Sequence, residues 1–275
     1  MKVDPEMAGR ITELSFDGAN LLATKEQHAE NWGSTYWTSP QADWGWPPVA
    51  AVDADAYELG RVENGSAKEH FILVGPEANI GPRKFRVEKE FRPGSLEGTL
   101  DVLYSIHNVG EASFEMANWE IMRVPSGGVT FFPTGKAELT PIAPHDAMPT
   151  EKAAGATFFD HRKFSIGKCQ KLHADGEGGY LAHATPDALI LKLFVDTNPE
   201  QQAPGEGECE IFSNEDGKYV EVEVQGAYST IAPGEKLTLV VRTVVVPWPA
   251  PVDLDDRAAL RRFADEQAKI FSEGL

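Results

Sequence analysis

The chain is poor in several features that would identify a soluble protein at sight. It has only two cysteines in 275 residues. Cys169 and Cys209 match no metal-binding spacing, so they read as two thiols or one disulfide. No apolar run approaches the length of a transmembrane helix. The opening residues, MKVDPEMAGRITELSF, contain no signal-peptide core. The expectation is a cytoplasmic protein as written, or a periplasmic one if a leader was removed. Positive charge is scarce as well, with 25 basic against 43 acidic residues and a net charge of −18. Such a surface repels phosphate backbones and anionic lipid, so neither nucleic acid nor membrane is expected as a partner. It also argues against a strongly polyanionic substrate unless a local basic patch exists. GxSxG, P-loop, GxGxxG and HExxH motifs are all missing, which removes the common hydrolase, nucleotide and zinc-protease readings. His145-Asp146 and Asp160-His161 lie far apart without ligand spacing and read as loop residues. Neither a metal nor a cofactor is expected.

What is present is strand signal, with enough hydrophobic residues (41%) for a substantial core. Residues 10–16 lead to a turn at Asp17-Gly18, and residues 69–74 and 85–91 follow as strands. Over 98–108, Leu100, Val102, Tyr104 and Ile106 share one face, while Asp101, Leu103, Ser105 and His107 share the other. That alternation marks a sheet covered on one side. Residues 118–124 and 129–132 continue the series. Residues 134–165 show little periodicity and read as a long connection of the kind that often covers a site. Strands resume at 179–183 and 188–196. The segments 209–213 and 218–224 flank Asn214-Glu215-Asp216-Gly217, a hairpin signal, and 236–246 is a long strand. Only the last segment reads as helix, with Asp253, Asp255 and Asp256 as caps and Leu260, Phe263, Ala264, Ile270 and Phe271 at helical spacing. With no linker or repeat, residues 1–275 are expected to form one all-β domain, two large stacked antiparallel sheets with a C-terminal helix.

One stretch stands out. NWGSTYWTSPQADWGWPP, residues 31–48, holds Trp32, Trp37, Trp44 and Trp46, four of the six tryptophans. Short polar groups, including Gln41, lie between the rings, and glycine and proline exclude a helix interior. Aromatic faces beside hydrogen-bonding groups suit a sugar ring; the alternative is a rigid plug closing one end of a β-protein. In KYVEVEVQGAY, Val220, Val222 and Val224 point one way and Tyr219, Glu221, Glu223 and Gln225 the other. Glu221 and Glu223 then stand about 7 Å apart along one face, close enough to raise one another's pKa as general-base chemistry can use. In NWEIMRV, Trp119, Ile121 and Arg123 share a face, and Arg123 could hold a hydroxyl or carboxylate in a fork.

Several of these segments resemble the galactose mutarotase-like superfamily. PEMAGRITELSFDGANLL is similar to its opening strand pair, and EVQGAYSTIAPGEKLTL to a late motif in which a catalytic glutamate precedes a PGE turn. GSTYWTSPQADWGWPP, NWEIMRV, FFPTG and residues 171–196 resemble, more narrowly, a bacterial branch, domain of unknown function 4380. The resemblance spans almost the whole chain. It implies a β-supersandwich with a carbohydrate site on its concave face. In the superfamily's aldose 1-epimerases a glutamate takes the anomeric hydroxyl proton while a histidine protonates the ring oxygen. Glu223 matches the glutamate. The histidine has no match, since Asn118-Trp119-Glu120-Ile121 stands where the epimerases have His-x-aromatic-Asn, and Val224 replaces the usual proline. The scaffold also serves polysaccharide lyases and non-catalytic modules. A lyase would need a tyrosine or histidine base and a neutralised uronate, for which Tyr36, Tyr228, His145 and Arg123 are candidates. The expectation is a carbohydrate-binding protein, epimerase-like if an enzyme, with Glu223 and Glu221 catalytic and Trp37, Gln41, Trp44, Trp46, Trp119, Arg123 and Gln225 holding the sugar.

Overall fold

The computed structural model describes residues 1–60, 70–94, 96, 98–137, 140–141, 144–163 and 167–275. Among these, the strands form a nine-stranded and a ten-stranded sheet, with a small two-stranded ribbon beside them. The first sheet runs Lys2–Asp4, Arg10–Glu13, Ser34–Ser39, Phe114–Pro125, Tyr219–Gln225, Cys209–Ser213, Gln170–Ala174, Thr140–Pro141, and Ser229–Ile231 also pairs with Phe114–Pro125. The second runs Thr150–Ala153, Ala156–Asp160, Val129–Pro133, Tyr180–Ala184, Ala188–Leu193, Lys236–Pro247, Thr99–Asn108, Arg83–Pro93, Phe71–Ile80, Glu58–Leu59. The named strand pairs are antiparallel, so short turns can link neighbours and each strand presents alternate residues to opposite faces.

That alternation builds the layers. Met122, Val124, Val220, Val222, Val224 and Ile211 of the first sheet meet Phe85, Val87, Phe91, Val102, Ile106 and Val241 of the second in one core. Tyr36 stacks on Tyr104 across it, ring centroids 5.1 Å apart. Three buried ionisable side chains also lie between the sheets: Lys192 ion-pairs with Glu120, and Lys89 donates to the Ala8 carbonyl at 2.6 Å. Part of the far face of the second sheet, over Tyr180–Ala184 and Ala188–Leu193, is covered by the C-terminal helix Arg257–Phe271, whose N-cap Asp256 accepts a hydrogen bond from the Ala259 amide at 2.9 Å. Leu260 and Ala264 are sealed against Phe158, Leu189 and Leu191, with Phe263 and Phe271 packed at the edge. Ile270, expected on the apolar stripe, instead points to solvent and is 54% exposed. No helix of the described residues is long and apolar enough to cross a membrane.

The irregular stretch 134–165 is less irregular than its sequence suggests. Thr150–Ala153 and Ala156–Asp160 form a hairpin, turning on Ala154 and Gly155, both with positive φ. Residue 69, read as the start of a strand, lies outside the described residues, and the strand there is Phe71–Ile80. Among the described residues, a short helix at Ala50–Asp53 and four single 3-10 turns add to the one helix expected. The outer face of the first sheet carries a dense cluster of buried polar side chains.

Candidate functional site

The outer face follows from register. Trp119, Ile121 and Arg123 stand opposite Gln225, Glu223 and Glu221. Trp37 stands opposite Trp119 on the other side, while Glu223 and Glu221 face Glu210 and Phe212 across the hairpin. His173 and Lys171 lie opposite Glu210 and Phe212 in turn. Because the valines of Tyr219–Gln225 are committed to the core, these polar and aromatic side chains must share the other side. Gly33 sets the tryptophan strand going: its φ is +67°, and a Cβ there would sit 2.5 Å from the Ile11 carbonyl oxygen. Beyond the strand, the Gln41 amide and the Ser39 hydroxyl donate to Glu206, and Arg83 ion-pairs with Asp43, which pins the loop carrying Trp44 and Trp46.

The rings form a tight group. Trp37 lies edge-on to Trp119, Trp46 and Trp44, with centroids 5.0, 5.8 and 5.9 Å away. Arg123 lies over Trp37 and donates from Nε to Glu221 at 2.7 Å. Lys171 lies over Trp119, its ammonium 5.2 Å from the ring centre. Lys171 Nζ is 2.5 Å from Glu210 Oε1, and His173 Nε2 is 2.7 Å from Glu210 Oε2. Gln225 donates to the same Oε2 at 3.3 Å. The Trp119 indole donates to Glu223 at 2.7 Å.

These contacts fix protonation. Burial alone would raise the Glu210 carboxyl, but Lys171 and His173 bring it down to about 2. Burial and the neighbouring Glu210 and Glu221 push the Glu223 carboxyl far above the usual carboxylate range. Burial raises Glu221 too, against the pull of Arg123 and Lys171. Six ionisable groups are therefore held together on a largely dry sheet face. Buried charges of this kind are poor sources of stability and collect where chemistry or recognition needs them.

A cavity of about 450 Å³ opens onto this face, walled by Trp37, Trp46, Phe212 and Tyr219 with Gln41, Asn31, Pro144, His145, Lys171 and Glu221 between them. Of the residues expected from sequence, Trp37, Gln41, Trp46 and Glu221 line it. Trp46 is the most open, 61% exposed. Trp44 stands behind, half-buried, with its indole N–H on the Thr38 carbonyl at 2.8 Å. Trp119, Arg123, Glu223 and Gln225 are buried beneath the wall and off the lining, so Glu221, not Glu223, is the glutamate that reaches the cavity. Another cleft, of about 420 Å³, lies beside the C-terminal helix, where Arg261 and Asp265 pair with each other. It has no comparable buried charge.

Sequence reasoning did not find Asn31, Lys171, His173, Glu210, Phe212 and Tyr219 as site residues, and gave His145 only a lyase candidacy. Cys209–Ser213 alternates as clearly as its hairpin partner, and the turn at Asn214–Gly217 fixes the register, so Glu210 and Phe212 were within reach. The remaining candidates lie elsewhere. Tyr36 is in the core with its hydroxyl on Asn118. His107 pairs with Glu88 on the second sheet at 3.7 Å. Asp160 holds Arg162 and Arg257, and His161 meets the Thr130 hydroxyl. Cys169 and Cys209 are free thiols.

No protein-family model matches this chain, and no curated protein does. Solved structures do. The chain is similar to the Slr1438 protein of Synechocystis sp. PCC 6803 at 12% identity and TM-score 0.61, over 90% of this chain and 91% of that one. It is similar to a galactose mutarotase-like protein from Lactobacillus casei at 12% identity and TM-score 0.60, over 87% and 95%. A galactose mutarotase related enzyme from Lactobacillus acidophilus aligns at 10% identity and TM-score 0.53, over 91% and 98%. At such identities the likeness defines the fold. The chain has the galactose mutarotase-like β-sandwich fold, as the sequence motifs implied.

Proposed function

We propose that this protein binds a carbohydrate in the cavity on the outer face of its first sheet. The observation that carries this reading is the cavity wall itself. Two indoles, a phenyl and a phenol offer flat faces to C–H surfaces, and Glu221, Gln41, Asn31 and Lys171 stand among them for hydroxyls. The volume, about 450 Å³, suits one or two sugar rings by the usual size of small-ligand sites. The plug reading accounts for Trp119 and Trp44 but not for Trp46, whose ring faces open space. A glycan array followed by titration calorimetry of the hits tests the proposal; saccharide binding that Trp37→Ala weakens is expected, and no binding to any saccharide would overturn it.

A second reading, an epimerase-like enzyme, draws on the two carboxyl groups of one strand. Glu221 reaches the cavity as the group able to take a proton from a sugar hydroxyl. Glu223 sits behind it with its own proton retained. Adjacent carboxyl groups in different protonation states are what acid–base catalysis requires. Polarimetric mutarotation assays on the bound sugars test this. Glu221→Gln is expected to lower turnover by about 10²-fold or more, and absence of turnover on every bound sugar leaves a binding protein.

A further inference from the structure

The charges around the cavity are unlike those of the molecule as a whole. The protein carries −18 overall, yet Arg123, Lys171 and His173 converge on Glu221 and Glu210. Against its burial, the Glu210 carboxylate raises the His173 pKa and so favours the imidazolium. Its Nδ1 donates to the Gly205 carbonyl at 2.9 Å and its Nε2 lies 2.7 Å from the Glu210 carboxylate. Burial and the neighbouring carboxyl groups favour the neutral form of Glu223. Three cationic side chains are thus gathered at one end of a strongly acidic molecule.

Hydrogen bonding points the same way. Among the described residues lining the cavity, the buried side-chain polar atom left without a partner is Trp37 Nε1, a donor. Directly behind it, Arg123 Nη1 is a second unpartnered donor. Lys171 uses its ammonium on Glu210 and, at 3.4 Å, on Gln41, with a third donor position to spare. The acid on the wall, Glu221, already has its charge answered by Arg123. An unmatched buried donor is costly, and a ligand oxygen is the partner that relieves it.

We propose that the ligand is a sugar bearing a carboxylate, a hexuronate, whose anionic group is held at the Lys171 end of the cavity with the Trp37 indole N–H. This rests on the carbohydrate reading above and narrows it. Charge-assisted hydrogen bonds from a buried ammonium are stronger than neutral ones, and they compensate the desolvation of a carboxylate as a neutral wall would not. Lys171 is thus the specificity-determining residue. The test is titration calorimetry of the intact protein with D-glucuronate and D-galacturonate beside D-glucose and D-galactose. At least one hexuronate is expected to bind about 10-fold or more tightly than its neutral parent, the scale of one charge-assisted contact. Lys171→Met should abolish that preference and Lys171→Arg should keep part of it. Neutral sugars binding as well as uronates would overturn the proposal and leave the carbohydrate reading standing. Binding of neither kind would overturn both. The wild-type comparison decides without any variant, should Lys171→Met fail to fold.

Discussion

Two groups of buried charge lie on opposite faces of the same sheet, and they are built differently. On the inner face Glu120 is held by Lys192 and by the Ser34 hydroxyl at 2.8 Å, and Lys192 also donates to the Val222 carbonyl at 2.7 Å. Lys89 has its carbonyl and the rings of Tyr36 and Tyr57 at 5.6 and 5.3 Å. On the outer face, three residues along the same strand, Arg123 keeps an unpartnered nitrogen, as Trp37 does, and Glu223 an unpartnered oxygen. The inner set is closed and ties sheet to sheet. The outer set has hydrogen-bonding capacity left over. Surplus capacity, more than burial or charge, separates a binding face from a structural one.

The largest effect should come from opening the closed set. Lys192→Met strands Glu120 as an uncompensated buried charge and should cost about 3–5 kcal/mol in urea unfolding. A loss below about 1 kcal/mol would show that the inner pair is as loosely held as the outer one. Next comes pH. Burial lowers the Lys89 pKa from 10.5 to about 7, so between those values the unfolded chain binds the extra proton. Stability should therefore rise with pH across that window, by up to about 1.4 kcal/mol per unit. Lys89→Met should flatten this slope; a slope unchanged in the variant assigns it to other groups.

On the outer face the expected losses are of binding, not of stability. Trp46→Ala should weaken saccharide affinity by about 1–3 kcal/mol if the ring is an anchor, with unfolding shifted by no more than about 0.5 kcal/mol. An unfolded variant would return the tryptophans to the role of a plug. The smallest change is expected from Glu223→Gln, which replaces a neutral acid by a neutral amide of the same shape. Thermal stability should barely move and affinity should stay within a few-fold, while any epimerase turnover falls by about 10²-fold. A large loss of stability would mean that Glu223 is ionised and paired.

The fold was legible because strand alternation is local. Leu100, Val102, Tyr104 and Ile106 declare an inner face without reference to any other part of the chain, and Thr99–Asn108 is the strand observed. The tryptophan stretch and Glu221 were legible as unusual composition. Lys171 and His173 were not, because nothing in QKLHA says which strand it will join. Their meaning arises only when Gln170–Ala174 is laid beside Cys209–Ser213 and Glu210 becomes a shared partner. The Glu223 position was read correctly by face and not by depth. Alternation says which side a residue takes, whereas the Trp119 indole that caps it comes from a neighbouring strand.

The clustering of indoles has an optical consequence. Trp37 is within 6 Å of Trp44, Trp46 and Trp119, ring centre to ring centre, so light absorbed by any of the four can migrate among them before it is emitted. Energy of this kind drains toward the ring with the reddest transition, and solvent contact places that at Trp46. The emission of a whole cluster would then be gated by one exposed residue at the cavity mouth. A molecule settling there without any chromophore of its own should shift and brighten the protein's ultraviolet fluorescence.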